Sequence, residues 1–348
     1  MFKIEVNNYK SIKHLELVCS KINLFIGEPN VGKSNILEAL SLFSLSWMLG
    51  MNRDLKNVGL QLLDLKEFYR INNVQDLFHK GDKSNDVSVI IDKGNKGIEL
   101  KYHTFKDEGL NTFYINSLNG LQTHFDDNFN TYIEKSSFFT SSILPFKFKE
   151  DIDYHNLGNY LWDLNPPYGN NIVNVIRNNS QLLEFLKAKA NGYKFNLDFK
   201  TNNIAIQLEV NEGVMYPLHY NALADTLRRV IFYKAAIKNS LADYVILEEP
   251  EAHSFPPYVS IIADEIVEAV EKLNKSFFIA THSPYLLNSI LENAHTSDIS
   301  VFLCGKNQQN ETYVKKLSGD EISELLDYGV DIFFNINKYL DDSFEYSS

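Results

Sequence analysis

The feature that most constrains the fold is a G-x-x-x-x-G-K-S pattern at residues 27–34, between an apolar run and a helical pattern. The apolar run, residues 22–26, has the character of a buried strand, and residues 33–49 place apolar side chains at helical spacing. At background composition the pattern arises by chance on the order of 0.01 times in a chain of this length. The sequence therefore predicts a strand, a glycine-rich loop and a helix in direct succession.

A loop of this kind holds the phosphates of a nucleotide. Its glycines let the backbone curl so that N–H groups point at a phosphate, and the helix that follows adds partial positive charge. Lys33 would reach the β- and γ-phosphate oxygens, and Ser34 would ligate Mg²⁺. We therefore expect a site for a nucleoside triphosphate and Mg²⁺.

Polar residues also follow two later apolar runs. Glu248 and Glu249 come directly after residues 244–247, and His282 comes shortly after residues 276–280. Parallel strands would end at the edge that carries the phosphate loop, where one carboxylate can serve Mg²⁺ and its neighbour the attacking water. An acidic first turn of the next helix is the alternative for the carboxylates. His282 can bond the γ-phosphate, orient water or be structural.

These three segments resemble the Walker A motif, the Walker B motif with its catalytic glutamate, and the switch histidine of ABC-type ATPases. Residues 248–253 and 281–284 are similar to the RecF, SMC and OLD (overcoming lysogenization defect) branch, and residues 2–17 resemble the opening hairpin of that branch. The resemblance implies ATP and Mg²⁺ as cofactors, Ser34 and Glu248 as metal ligands, Glu249 as general base, and Lys33 and His282 as further catalytic residues. It implies that residues 251–253 cross a dimer interface. The implied nucleotide contacts are Lys10, Ser11, Gly27, Glu28, Pro29, Asn30, Val31, Gly32, Lys33, Ser34 and Asn35.

The sequence departs from the ABC pattern at the signature position. The signature is a Ser-Gly-Gly-type helix start that caps the γ-phosphate of the opposite protomer, but residues 221–229, at the start of a predicted helix over 222–239, contain no glycine. Asp225 and Thr226 can cap that helix, and Arg228 or Arg229 can reach a phosphate; a plain exposed helix start is the alternative. No convincing glutamine marks the Mg²⁺-sensing loop, which we expect within residues 141–148.

We predict an α/β fold, a P-loop NTPase of the ABC-type ATPase head class, with a mixed or parallel sheet core, an N-terminal antiparallel β lobe and a helical insertion. The sequence pattern predicts three strands over residues 2–26, helix over 52–80 and strands over 86–116 with a turn at 93–97. We expect one domain over residues 1–348. Its parts would be a nucleotide-binding core (1–50 and 215–305), a β lobe and helical insertion (51–214), and an acidic strand–helix segment (306–348).

The charge balance bears on partners. The 348 residues carry a net charge of −12, which repels phosphate backbones, so nucleic acid is possible as a partner but not supported by charge. From residue 311 onward nine acidic residues face three lysines, which indicates a solvated face or a docking surface for a basic partner. No apolar run approaches the ~20 residues of a membrane span. With two cysteines and no signal sequence, we expect a cytoplasmic protein.

The resemblance further implies an ATPase whose protomers pair as a homodimer or higher oligomer when ATP is bound. Stand-alone members commonly control a separately encoded effector in antiphage defence, and we expect that role here, without coiled-coil arms or a nuclease domain. Two alternatives stay open. One is a DNA repair or recombination ATPase whose ATP-bound dimer clamps DNA, and the other is a pseudo-ATPase that binds nucleotide as a scaffold.

Overall fold

Fifteen strands and nine α-helices form within the residues that the structure, a computed structural model, describes: 2–57, 65–91, 96–105, 110–117, 122–126, 129, 142–152, 162–189, 193–198, 203–211, 214–218 and 220–340. The strands are β1 (Phe2–Tyr9), β2 (Ile12–Cys19), β3 (Ile22–Gly27), β4 (Val87–Ile91), β5 (Lys96–Phe105), β6 (Leu110–Ser117), β7 (Gln122–Phe125), β8 (Ile143–Phe146), β9 (Tyr193–Asp198), β10 (Asn203–Asn211), β11 (Val214–Leu218), β12 (Tyr244–Glu248), β13 (Ser276–Ala280), β14 (Ile299–Lys306) and β15 (Thr312–Ser318). The helices are α1 (Lys33–Asn57), α2 (Leu65–Phe68), α3 (Ile172–Asn178), α4 (Ser180–Lys189), α5 (Asp225–Ile237), α6 (Pro256–Leu273), α7 (Pro284–Asn293), α8 (Gly319–Asp327) and α9 (Ile332–Leu340).

The central sheet has the strand order β15-β14-β3-β13-β12-β8, and all its neighbours pair in parallel except β14 and β15. Leu247 opposes both Phe146 and Ile279, and Ile279 opposes Leu24. Strands β3, β13, β12 and β8 therefore end side by side at one edge of the sheet. This register brings the loop after β3 next to the polar residues that follow β12 and β13.

The strands of this sheet are apolar on both faces because helices cover both faces. Leu247 and Ile279 belong to a core that includes residues of α5, α6 and α7. Ile246 and Phe278 point to the opposite face, into a core that includes residues of α1 and of β1 and β2. The predicted α/β class with a largely parallel core is confirmed.

The N-terminal antiparallel lobe is also confirmed. Its sheet has the order β2-β1-β4-β5-β6-β7, and all its pairs are antiparallel. A separate three-stranded sheet, β11-β10-β9, follows the helices α3 and α4. Strand β8, from the segment predicted as lobe and insertion, and β15, from the C-terminal segment, both join the central sheet.

Three local predictions concern the helix over residues 52–80, the turn at residues 93–97 and membrane-spanning segments. Helix α1 continues to Asn57. In the described part of residues 58–80, the helical prediction holds only for the short α2, and the 3₁₀ turns Val74–Leu77 and His79–Gly81 follow it. The turn at residues 93–97 lies mostly outside the described residues, although the strands that flank it pair as expected. No helix among the described residues has the length and apolar character to cross a bilayer.

Candidate active site

The glycine loop is shaped by left-handed backbone and by support from β15. Asn30 has φ 64° and Gly32 has φ 104°. A Cβ atom on Gly32 would lie 2.1 Å from Oγ1 of Thr312, so no larger residue fits there. The Thr312 hydroxyl donates a 2.9 Å hydrogen bond to the Val31 carbonyl. The hairpin of β14 and β15 therefore holds the back of the loop and leaves its front open.

Lys33 is the first residue of α1 and is 6% exposed. Its Nζ donates to the carbonyl oxygens of Gly27, at 2.9 Å, and Glu28, at 2.8 Å. Burial lowers the pKa of Lys33, although Cys304, Glu249 and Glu248 oppose that shift. The ammonium therefore lies across the loop. Because burial disfavours its charge, the binding of a further anion beside it is favourable.

Glu248 ends β12 with three cationic or donor groups around its carboxylate. Nζ of Lys147 lies 2.7 Å from Oε2, Nη1 of Arg70 lies 3.7 Å from Oε1, and the Ser34 hydroxyl is a third group that acts on the same carboxylate. Burial acts to raise the pKa of Glu248, but Lys147, Ser34 and Arg70 together lower it. An ionised carboxylate beside a hydroxyl is a donor pair that suits Mg²⁺, which takes few protein ligands and keeps waters or phosphate oxygens as the rest.

Glu249 and His282 face each other where β12 and β13 end. Glu249 adopts a left-handed φ of 46°, and its N–H donates to the Ala280 carbonyl at 2.9 Å. Its Oε1 lies 3.6 Å from Nε2 of His282. Burial and then Lys33 lower the pKa of His282, with Glu249 opposing, so the imidazole is neutral at pH 7. Both side chains remain partly open to solvent.

Glu251 ties the loop after β12 to the loop after β13. It is 8% exposed, and its Oε1 accepts hydrogen bonds from the Thr281 hydroxyl at 2.6 Å and from the His282 N–H at 3.1 Å. Burial raises the pKa of this carboxyl. The side chain of Glu251 is therefore turned into the protein, whereas the ABC resemblance implied that residues 251–253 serve a dimer interface.

These residues line one cleft of about 520 Å³ at the carboxyl edge of the sheet. The cleft brings together the predicted Lys33, Ser34, Glu248, Glu249 and His282. Arg229, which the sequence singled out as able to reach a phosphate, also lines it, together with two cations that the sequence did not single out, Arg70 and Lys147. The remaining lining residues are Pro29, Asn30, Gly32, Asn35, Phe148, Tyr233, Ala252 and His253.

Lys10 and Ser11, expected beside the nucleotide, lie outside the lining of this cleft. The Lys10 ammonium bonds the buried carboxylate of Glu38 and the carbonyl of Tyr69. Ser11 accepts a 2.7 Å hydrogen bond from the Asn35 side chain and pairs with the Thr312 hydroxyl. Both residues therefore stand behind the glycine loop, where they support α1 and β15.

Neither Asp225 nor Thr226, the two residues able to cap the predicted helix, caps α5. The N-cap is Ala224, without a side-chain cap, because Asp225 is turned to Arg229, whose Nε donates to it at 2.7 Å. Thr226 donates instead to the carbonyl of His253, at 3.1 Å. Arg228 is 8% exposed and reaches Asp225 and the carbonyl of Glu150. Arg229 lines the cleft of its own chain.

Comparison with known proteins gives remote likenesses. No protein-family model matches the chain. A stretch of 87 residues, 25% of the chain, is 37% identical to an uncharacterized protein of Methanocaldococcus jannaschii and spans only 39% of that protein.

Among solved structures, an SMC head bound to the C-winged helix domain of ScpA matches with a TM-score of 0.48 at 16% identity, covering 92% of this chain and 98% of that one. An SMC head with an extended coiled coil, bound to the C-terminal domain of ScpA derived from Pyrococcus furiosus, gives 0.48 at 14% identity, over 94% and 98%. The SMC head domain from Thermotoga maritima gives 0.41 at 12% identity, over 90% and 98%. The assignment of the cleft therefore rests on its own residues.

Proposed function

We propose that the chain binds ATP with Mg²⁺ in this cleft and hydrolyses it to ADP and phosphate. The observation that carries the proposal is the convergence of a phosphate loop, a hydroxyl–carboxylate pair and a carboxylate–imidazole pair in one cleft. The ends of three separate strands supply these groups. A cluster of structural salt bridges would not explain the strained loop that accompanies them.

Each residue has a distinct role in this mechanism. Backbone N–H groups of residues 27–34 and the start of α1 hold the β-phosphate. Lys33 neutralises charge on the β- and γ-phosphates. Ser34 and Glu248 would hold Mg²⁺, which when bound offsets the charge of the same phosphates.

Glu249 and His282 act on the water. A carboxylate oxygen of Glu249 accepts the proton that the water loses as its oxygen attacks the γ-phosphorus, and the β–γ bridging oxygen leaves with ADP. The neutral imidazole of His282, a residue whose backbone N–H donates to Glu251, hydrogen-bonds the γ-phosphate or the water. The fixed backbone of both residues preserves this arrangement.

We further propose that ATP draws two protomers together and that the pair controls a separately encoded protein in antiphage defence, as the RecF, SMC and OLD branch resemblance implies. Exposed aromatic rings support an interface at this edge of the sheet. Phe255, at the start of α6, is 66% exposed, and Tyr285, at the start of α7, is 61% exposed. Each follows directly on one of the two loops that form the cleft.

ATP binding by purified Lys33→Ala protein, measured by calorimetry with Mg²⁺, tests the proposed site. We expect wild-type protein to bind and the variant to lose measurable affinity, because the cleft then lacks its central ammonium. Lys272→Ala is the matched control, since Lys272 is exposed and pairs with Glu268 far from the cleft. Equal ATP affinity in wild type and Lys33→Ala would overturn the site.

A further inference from the structure

We propose that Lys147 is a second phosphate-binding lysine, which binds the γ-phosphate from the side of the cleft opposite the glycine loop. The inference rests on the proposed function, since it concerns the same cleft. The geometry that carries it is the position of Lys147 directly after β8, the neighbour of β12 on the side away from β3. Three strand spacings, roughly 14 Å in all, separate β3 from β8, so Lys33 and Lys147 approach the cleft from opposite sides.

Backbone hydrogen bonds fix the position of Lys147, and its side chain lines the cleft. The Lys147 N–H donates to the carbonyl of Pro167 at 2.9 Å, and the next N–H, of Phe148, donates to the Tyr233 hydroxyl at 3.3 Å. The Tyr233 hydroxyl donates in turn to the backbone carbonyl of Glu248 at 3.1 Å. The Lys147 side chain keeps 34% of its surface exposed and lines the cleft.

The two arginines of the cleft wall have their closest carboxylate partners outside the cleft. Arg70 donates through Nε and Nη2 to the buried Glu38, whereas its Nη1 comes no nearer to Glu248 than 3.7 Å. Arg229 bonds Asp225 at 2.7 Å and approaches Glu150 at 3.4 Å. Lys147 differs, because the carboxylate it bonds is Glu248, which lines the cleft itself.

The negative charge of Glu248 therefore has two partners, the Lys147 ammonium and the proposed Mg²⁺. One carboxylate cannot fully compensate both an ammonium at 2.7 Å and a divalent cation, so Mg²⁺ bound through Glu248 leaves Lys147 short of an anion. The anion that arrives with the metal is the triphosphate, and with its β-phosphate held by the loop its γ-phosphate would lie in the cleft that Glu248 and Lys147 line. A lysine binds phosphate as a point charge, which suits a group that must exchange one anion for another.

Selectivity between ATP and ADP tests this role, because only ATP carries the γ-phosphate. We expect Lys147→Gln to weaken ATP binding roughly 10- to 100-fold, the range for a bond to a charged group, while ADP binding changes less than about threefold. Lys147→Arg keeps the charge and should restore most of the ATP affinity. Calorimetric titrations with ATP and with ADP, each with and without Mg²⁺, give the affinities independently of turnover.

Lys149→Gln is the matched control, because Lys149 lies two residues further on and pairs with Glu67, 2.6 Å away, outside the lining of the cleft. It should leave both affinities unchanged, and thermal unfolding of each variant shows whether the fold is intact. Equal losses for ATP and ADP in Lys147→Gln, or no loss at all, would overturn the inference. Lys33→Ala separates the two proposals: if it still abolishes ATP binding, the site stands and only Lys147 loses its role.

Discussion

Nε2 of His282 lies 3.6 Å from Oε1 of Glu249, although the two residues follow different strands. The parallel register of β12 and β13 creates this pairing, and the bond from the Glu249 N–H to the Ala280 carbonyl fixes it. The proposed base and a neutral imidazole thus meet in the cleft.

The first prediction concerns pH. Because burial and Lys33 lower the pKa of His282 below its ordinary 6.5, the imidazole gains its proton at a lower pH than an exposed histidine does. An acid limb of ATP turnover that comes from His282 should therefore have its midpoint below pH 6.5, and His282→Gln should lower turnover about 10²-fold without changing ATP affinity. Steady-state rates over pH 5 to 8 check this. A limb at or above pH 6.5 that vanishes in His282→Gln would show that the lowered pKa is wrong.

The second prediction concerns Thr281, whose fully buried hydroxyl donates to Glu251 and accepts from the Ser283 N–H. Thr281→Val keeps the shape but removes both bonds, so we expect a loss of about 1–3 kcal/mol in the free energy of unfolding. Thr281→Ser keeps the hydroxyl and should lose less. Urea unfolding of the two variants measures the difference, and equal losses would mean that the hydroxyl bonds contribute little.

The third prediction concerns the glycine loop. Gly32→Ala would add a methyl group that collides with Thr312 at a left-handed φ, so it should abolish ATP binding and destabilise the fold by about 2 kcal/mol or more. Gly329→Ala is a control with φ 73° and no atom within 4 Å of the added Cβ, so it carries backbone strain alone. Chemical unfolding together with ATP titration compares them. If Gly32→Ala costs no more than Gly329→Ala, the close contact with Thr312 does not constrain the loop.

The fourth prediction concerns assembly. Glu249→Gln protein with ATP should sediment as a dimer or larger species, whereas the same protein without ATP should not. Adding Phe255→Ser should weaken the ATP-dependent association, because it removes an exposed ring beside the cleft. Phe334→Ser is the matched control, since Phe334 is 90% exposed on α9. A sedimentation mass that is the same with and without ATP would contradict the nucleotide-driven dimer.

Much of the site could be predicted from sequence because each functional segment directly follows an apolar strand. The pattern predicted Lys33, Ser34, Glu248, Glu249 and His282 as neighbours, and the parallel sheet places them so. It also predicted that the polar loops would share one edge, which needs only parallel strands.

Other features could not be predicted because they depend on contacts across long stretches of sequence. Lys147 reaches Glu248 only because β8 pairs with β12, about a hundred residues later. The bond from the Lys10 ammonium to the buried carboxylate of Glu38, at a residue predicted to contact the nucleotide, joins segments 28 residues apart. At α5, Asp225 is a good capping residue by type, yet two arginines one turn later draw its carboxylate away from the helix start.

The most direct test of the central claim is the rate at which the protein releases phosphate from the γ position of labelled ATP in a single turnover. Wild-type protein with Mg²⁺ should hydrolyse bound ATP. Glu249→Gln should bind ATP equally well but hydrolyse it at least about 10² times more slowly, because the water lacks its base. Equal single-turnover rates in wild type and Glu249→Gln, or no hydrolysis by wild-type protein that has bound ATP, would contradict the account.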